Sequence, residues 1–256
     1  MGDDPSRRRE ELDALRTGIE LGMTLIDTAE MYGDGRSESL VGEAIAGRRE
    51  EVFLVSKVLP SNASRKGTVR ACEASLERMR TDRVDLYLLH WSGSYPLEET
   101  VRGFEDLLAA GKIRAWGVSN LDPEEMKKLV ALPGGMACAT DQVLYNLSRR
   151  GIEFDLLPWS RKSGISIMAY SPVEQGRILG NKILKQVAQR RGATPAQVAL
   201  AWVLRQDGII AIPKAASAAH VRENRAALEL RLGVEDLAEL DREFPPPSGP
   251  APLEMI

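Results

Sequence analysis

The chain has 256 residues, 43% hydrophobic and 28% charged, with a formal net charge of −3. That balance suits a globular enzyme able to bury a sizeable core, and it gives no electrostatic ground for expecting nucleic acid as a partner. No apolar stretch approaches the ~18 residues of a membrane helix and no signal-peptide core opens the chain. Two cysteines cannot form a disulfide framework, so a cytoplasmic protein with neither membrane nor nucleic-acid partner is expected.

The opening MGDDPS fits the loose Met-Gly-x-x-x-Ser pattern of myristoylation, although an acidic pair follows the glycine directly. Arg7, Arg8 and Arg9 begin an amphipathic helix with Leu12, Leu15 and Ile19 on one face, and the arginines read as its solvated side. Strand-type apolar runs follow at 21–26, 52–57, 84–89, 115–118, 139–144, 165–169 and 209–212, with helical patterns between them. The segment 66–80 places Val69, Cys72, Leu76 and Met79 on one helical stripe. Asp122-Pro123-Glu124-Glu125 is a helix start, with Asp as cap, Pro in the first turn and acids at the positive dipole end. Gly47 and Gly111 follow helical stretches, where left-handed caps are expected. Cys72 and Cys138 read as structural.

Strands separated by single helices imply parallel pairing through crossovers, and the continuous apolar character of VFLVS and VDLYLLH fits strands covered on both faces. No linker or composition break precedes the proline-rich stretch from Pro245. The expectation is therefore one domain over 1–256, with 245–256 as a short tail, folded as a (β/α)8 barrel. A doubly wound sheet is disfavoured because no GxGxxG follows an early strand. Only seven strands can be read and the chain opens in a helix, so the first strand of an eight-stranded barrel is apparently lacking.

In such a barrel the chemistry collects where the strands end. The strand exits carry Asp27, Lys57, His90, Ser119-Asn120, Gln142, Tyr170-Ser171 and Lys214, and Tyr32 lies in the Gly-rich turn after Asp27. Asp, Tyr, Lys and His together suggest a proton-delivery device. A phenol titrates near ~10, a neighbouring ammonium favours its ionised form, a carboxylate holds that ammonium in place, and a histidine can orient a carbonyl oxygen. Hydride itself must come from a cofactor, since no side chain supplies one. A strand-end lysine also admits a Schiff-base lyase using Lys57, which Asp27 argues against by keeping the amine protonated.

LIDTAEMYGDGRSESLVGEAI, VFLVSK, DLYLLHW, GVSN, DQVLYN, AYSP and AIPKAASAAHVRENRAAL, in this order, resemble the aldo-keto reductases, and more narrowly the short bacterial members that reduce methylglyoxal and other small aldehydes. The resemblance implies a (β/α)8 barrel and NADPH-dependent reduction of small aldehydes or α-dicarbonyls, and the protein is expected to be a monomer. It implies a tetrad of Asp27, Tyr32, Lys57 and His90, with Tyr32 as general acid. It places Ser119, Asn120 and Gln142 on the nicotinamide carboxamide, Tyr170 on the nicotinamide ring, Ser171 on the pyrophosphate, and Lys214, His220, Glu223 and Asn224 around the adenosine end. Trp91 is implied as a wall of the substrate pocket, and no metal is implied.

Two departures bear on the cofactor. Ala215 stands where a Ser is common, and His220 stands where an Arg often stacks on adenine and pairs with phosphate. A guanidinium carries a fixed charge and a fork suited to phosphate, and an imidazole does not. The NADPH preference is therefore expected to survive through Lys214, helped by Arg222, but to be less steep, with NADH admitted. A third departure is the first strand and its preceding hairpin, which relatives have before their first helix. Its lack leaves as a further reading a barrel that binds cofactor but is impaired in catalysis. The short tail, PPPSGPAPLEMI, implies an open substrate pocket.

Overall fold

The computed structural model describes residues 1–256, folded as two compact units: Met1–Thr140 with Ala215–Val221, and Asp141–Lys214 with Arg222–Ile256. The first holds helices α1 (Arg8–Glu20), α2 (Arg36–Ala44), α3 (Arg65–Met79), α4 (Leu97–Ala109) and α5 (Pro123–Ala131). It also holds strands β1 (Leu25–Asp27), β2 (Phe53–Val58), β3 (Val84–Leu89), β4 (Ile113–Ser119) and the start of β5 (Cys138–Leu144). The second holds the rest of β5, then α6 (Leu156–Ser163), β6 (Ser166–Tyr170), α7 (Lys182–Arg190), α8 (Pro195–Leu204), β7 (Ile209–Ile212) and α10 (Val234–Glu243). Helix α9 (Ala218–Ala226) begins in the first unit and ends in the second.

The expected alternation of seven strands with helices is present. Strand order is β1-β2-β3-β4-β5 in the first unit and β5-β6-β7 in the second, because β5 crosses the boundary between them. Pairing is parallel: Leu25 lies opposite Phe53 in β1–β2, Val55 opposite Leu86 in β2–β3, Val84 opposite Ile113 in β3–β4, and Ile167 opposite Ile209 in β6–β7. Parallel neighbours need long crossovers, and the helices between successive strands provide them.

Local chemistry explains the element ends. Asp122 caps α5 through a full capping box with Glu125, and Ser64 caps α3 by accepting from the Gly67 N–H. Gly47 and Gly111 have φ of 75° and 69° after α2 and α4. Strand β1 is shorter than the run 21–26 suggests. The chain leaves α1 through a turn at Leu21-Gly22, with Gly22 at φ 79°, so extended structure starts only at Leu25.

In the first unit the core is built by Leu54, Val55, Leu86, Leu88 and Val118 from the strands, with Leu40, Met79, Phe104 and Leu107 from the helices. Phe104 stacks on Trp116 with centroids 5.2 Å apart and receives Tyr87 edge-on at 6.0 Å. In the second unit Leu184, Val187, Val198 and Leu240 are buried with Trp202, whose ring lies 4.9 Å from the Arg150 guanidinium and 3.8 Å from that of Arg205. Cys72 and Cys138 are buried and unbridged, and burial pushes the Cys72 thiol up to about 12. No helix is long and apolar enough to cross a membrane.

One buried carboxylate ties the amino ends of three strands together. Asp85 on β3 accepts from the Leu54 N–H at 2.8 Å, from Arg49 at 2.8 Å and from Arg114 at 2.9 Å, and is 1% exposed. Removing it leaves the buried Leu54 amide unpaired and takes a carboxylate from the largely buried Arg49 guanidinium, while the exposed Arg114 is left to water. Asp85→Ala is therefore expected to lower the unfolding free energy by about 3–5 kcal/mol, and Asp85→Asn by clearly less, both read from urea denaturation midpoints at constant m. An Asp85→Ala midpoint equal to that of the parent overturns this account.

Candidate active site

The residues at the carboxyl ends of β1, β2 and β3 meet within the first unit. Lys57, the fifth residue of β2, is fully buried, and its side chain reaches toward the β1 exit. Its ammonium donates to Asp27 Oδ2 at 2.7 Å, to the Thr28 carbonyl at 2.8 Å and to Tyr32 Oη at 3.3 Å. An ammonium has three N–H donors and no acceptor, so these partners use it completely. Burial pushes Lys57 toward the neutral form, but the Asp27 carboxylate and the Tyr32 oxygen beside it outweigh that, leaving its pKa above the ordinary lysine value. A lysine so held is protonated and not nucleophilic, which disfavours the Schiff-base reading.

Tyr32 sits on the turn between β1 and α2. The turn is made by left-handed backbone at Gly33, Asp34 and Gly35, with φ of 59°, 53° and 83°, and by local bonds such as Tyr32 N–H to the Ala29 carbonyl at 3.1 Å. Gly35 is needed on a second count, since a Cβ there would lie 2.6 Å from Cδ of Arg78. The result turns the phenol back over β2, with the Lys57 Nζ 4.7 Å from its ring centroid.

His90 follows β3 directly and is nearly buried. Its ring meets Tyr32 edge-on at 5.6 Å between centroids and lies 4.7 Å from the ring of Trp91. Burial, and secondarily the Lys57 charge, lower its pKa from 6.5 to about 3, so the imidazole is neutral throughout the working range. Nδ1 is buried without a hydrogen-bond partner. A bare acceptor costs less to bury unpaired than an N–H, which puts the proton on Nε2 and makes that nitrogen a donor.

The β4 exit is joined to this group. Asn120, in left-handed conformation at φ 59°, donates from Nδ2 to the His90 carbonyl at 3.2 Å and to Ser119 Oγ at 3.0 Å. His220, expected at the adenosine end, is exposed on α9, where its N–H meets Ser217 Oγ at 3.4 Å.

In the second unit, Gln142 is buried on β5, with Nε2 3.9 Å from the Met168 sulfur. Tyr170 ends β6, and Ser171 follows at φ 47°. The Ser171 carbonyl accepts from Asn146 Nδ2 at 2.9 Å, and the same amide donates to the buried Glu174 carboxylate at 2.8 Å. Lys214 and Arg222 are exposed cations before and within α9. Glu223 accepts from the Thr194 hydroxyl, and its carbonyl accepts from Gln197 at 3.2 Å, so the cap of α8 fixes it. Asn224 is the next residue of α9, partly buried.

Several residues of this neighbourhood escape a reading of the sequence. The Thr28 carbonyl is a lysine acceptor that any residue could supply. Glu38 on α2 is fully buried, accepting from Ser56 Oγ at 2.6 Å and from Arg78 at 2.5 Å. Glu30 reaches the loop after β2, accepting from the Leu59 N–H at 2.6 Å. Both acids look like ordinary solvated charges in a helical or turn context, and their partners are far along the chain.

Comparison with known proteins gives a consistent picture. The chain is 56% identical over 261 residues to methylglyoxal reductase YeaE of Escherichia coli K12, covering 100% of this chain and 92% of that protein. It is 33% identical over 232 residues to the glyoxal reductase of Bacillus subtilis, covering 91% and 83% respectively. A crystal structure of an aldo/keto reductase from Klebsiella pneumoniae in complex with NADP and acetate is similar at a TM-score of 0.99 and 52% identity, over 100% of this chain and 92% of that one. Residues 1–243 match the model of the aldo/keto reductase family, and with these relatives the chain belongs to that family, whose fold is the (β/α)8 barrel.

Proposed function

We propose that the protein is an NADPH-dependent carbonyl reductase acting on small aldehydes and α-dicarbonyls such as methylglyoxal, with Tyr32 as proton donor. The observation that carries the reading is the direction of the Lys57–Tyr32 contact. Lys57 is the donor there, at 3.3 Å, so the phenol oxygen accepts and its own hydrogen is turned away, available to a carbonyl oxygen. The names of the relatives, methylglyoxal and glyoxal reductases, support the substrate class.

When bound, the reduced nicotinamide supplies the hydride. Tyr32 gives its proton to the carbonyl oxygen as negative charge develops there, a contribution of general-acid catalysis typically worth ~10²–10⁴-fold. The phenolate left behind is formed next to the Lys57 ammonium, which Asp27 keeps charged and oriented. His90, neutral and donating from Nε2, fixes the carbonyl oxygen without competing as an acid. Trp91, packed on His90, walls the substrate.

The donor set fits a phosphorylated dinucleotide. Exposed Lys214 and Arg222 suit its phosphates; in the first unit Ser119 and Asn120, and separately in the second Gln142, Tyr170 and Ser171, have the chemistry that the resemblance assigns to nicotinamide and pyrophosphate contacts. His220, Glu223 and Asn224 suit its adenosine end. The same reading takes a cytoplasmic monomer. Two buried, unbridged cysteines support the reducing compartment, and the exposed large apolar residues, such as Phe53, Met136 and Val234, belong to different elements.

Tyr32→Phe is expected to lower kcat for methylglyoxal by ~10²-fold or more while the NADPH Kd, read by fluorescence quenching, stays within about threefold. Turnover near the parent's sinks the assignment. His220→Arg restores a phosphate-pairing fork and is expected to raise the NADPH-to-NADH ratio of kcat/KM by about threefold or more, the equivalent of one exposed ionic contact. An unchanged ratio, or a parent whose kcat/KM with NADH equals or exceeds that with NADPH, overturns the phosphate reading. The neutral His90 makes a third expectation. The unfolded chain takes up a proton at this site near 6.5 and the folded chain only near 3, so stability is lost as pH falls below 6.5. His90→Gln is expected to flatten this acid slope, measured by denaturant titration at several pH values, and a slope unaffected by the substitution contradicts the buried neutral imidazole.

A further inference from the structure

The turn that carries Tyr32 is shaped by its own bonds but is not placed by them. Tyr32 N–H to Ala29, Asp34 N–H to Met31, Arg36 N–H to Gly33 and Ser37 N–H to Tyr32 all close within the segment 29–37. They fix its curvature and leave open where the phenol stands relative to β2. The placement needs links from the turn to the strand that bears Lys57.

Apart from Lys57 itself, those links centre on Glu30. Its N–H makes a long bond to the Lys57 carbonyl at 3.4 Å. Its carboxylate oxygen Oε1 accepts from the Leu59 N–H at 2.6 Å and from Asn62 Nδ2 at 3.0 Å. Leu59 is the first residue beyond β2, and Asn62 ends the helical turn Pro60–Asn62 that follows. Bonds from N–H groups to an ionised carboxylate are shorter and stronger than neutral ones. Glu30 is two residues from Tyr32, and Leu59 is two residues from Lys57, so the brace spans the same gap as the 3.3 Å Lys57–Tyr32 contact. The Asp27, Thr28 and Tyr32 acceptors all act on one ammonium; the Glu30 brace is independent of it.

We propose that Glu30 is a positioning residue for the proton donor: its carboxylate pins the β1–α2 turn to the β2 exit and so sets the Tyr32 oxygen against Lys57 and the carbonyl. It does not touch substrate or cofactor. The proposal rests on Tyr32 as proton donor. It requires an acceptor oxygen of the right reach at position 30, not a negative charge. Glutamine keeps that oxygen, aspartate is one methylene too short, and alanine leaves the Leu59 N–H unpaired. The effect belongs in kcat, because substrate and cofactor contacts are unchanged while the donor is displaced from its reacting geometry.

The test compares Glu30→Gln, Glu30→Asp, Glu30→Ala and Asn62→Ala with the parent enzyme, using NADPH and methylglyoxal or whichever aldehyde the parent reduces fastest. Glu30→Ala is expected to lower kcat by about tenfold or more, with KM and the NADPH Kd within about threefold of the parent. Glu30→Gln is expected to recover kcat to within about threefold, and Asn62→Ala, which removes only the weaker of the two bonds, to fall between Gln and Asp at position 30. Should Glu30→Ala fail to fold, the order parent, Gln, Asn62→Ala, Asp decides the matter. Parental kcat in Glu30→Asp or Glu30→Ala overturns the proposal. So does a Gln variant as poor as Asp, which makes charge the requirement, or a loss confined to KM or cofactor affinity. Failure of Tyr32→Phe to lose turnover rejects the proton-donor assignment, and that result is separate from the ratios among the position-30 variants.

Discussion

A buried ammonium has to be surrounded, and Lys57 is where that requirement shapes the protein. Its charge sits out of water on a strand covered on both faces, at a desolvation cost of several kcal/mol unless compensated. The compensation comes from the neighbouring strand exit: a carboxylate, a main-chain carbonyl and a phenol oxygen, one for each hydrogen. Satisfying the cation therefore brings Asp27 and Tyr32 together around Lys57. Asp27 has to be at the mouth of β1, the chain has to turn immediately after it, and the phenol has to come back over β2. The left-handed residues from Gly33 to Gly35 make that return possible.

A second polar layer supports the first from behind. Ser56, the residue before Lys57, necessarily points to the opposite face of β2, where it donates to Glu38 on α2. Glu38 also receives Arg78 from α3, and Thr28 and Ser37 are linked through their hydroxyls at 3.0 Å. The helix that follows the tyrosine turn is thus bonded to the strand that bears the lysine. Buried networks with their members satisfied are rigid, and this one backs the turn that carries Tyr32.

Much of this was legible before any coordinates. The apolar runs located the strands because a strand buried on both faces has no polar alternation to obscure it, as in VDLYLL. Asp122, Pro123 and Glu125 announced α5 because capping is local chemistry. The Asp, Tyr, Lys and His set could be read because strand exits of a barrel share one end. Three buried or half-buried acids could not. Glu30, Glu38 and Asp85 resemble their solvated neighbours in sequence, and each is explained by partners 18 to 40 residues away. Strand β1 was overextended because Leu21 and Met23 are apolar, whereas Gly22 marks a turn that apolar character alone does not reveal. Residues such as Thr28 act through the main chain and leave no side-chain signal at all.

Strand β3 has its structural knot, Asp85, near its first residue and His90 just past its last. Four residues of extended chain lie between them, and the five steps from Asp85 to His90 span about 17 Å. The intervening Leu86, Tyr87, Leu88 and Leu89 are packed and carry no reacting group. Load-carrying and chemistry are thus held at opposite poles of one rod. Substitutions in the loop that begins at Trp91 therefore leave the Asp85 anchorage in place, because no bond of Asp85 reaches that end of the strand.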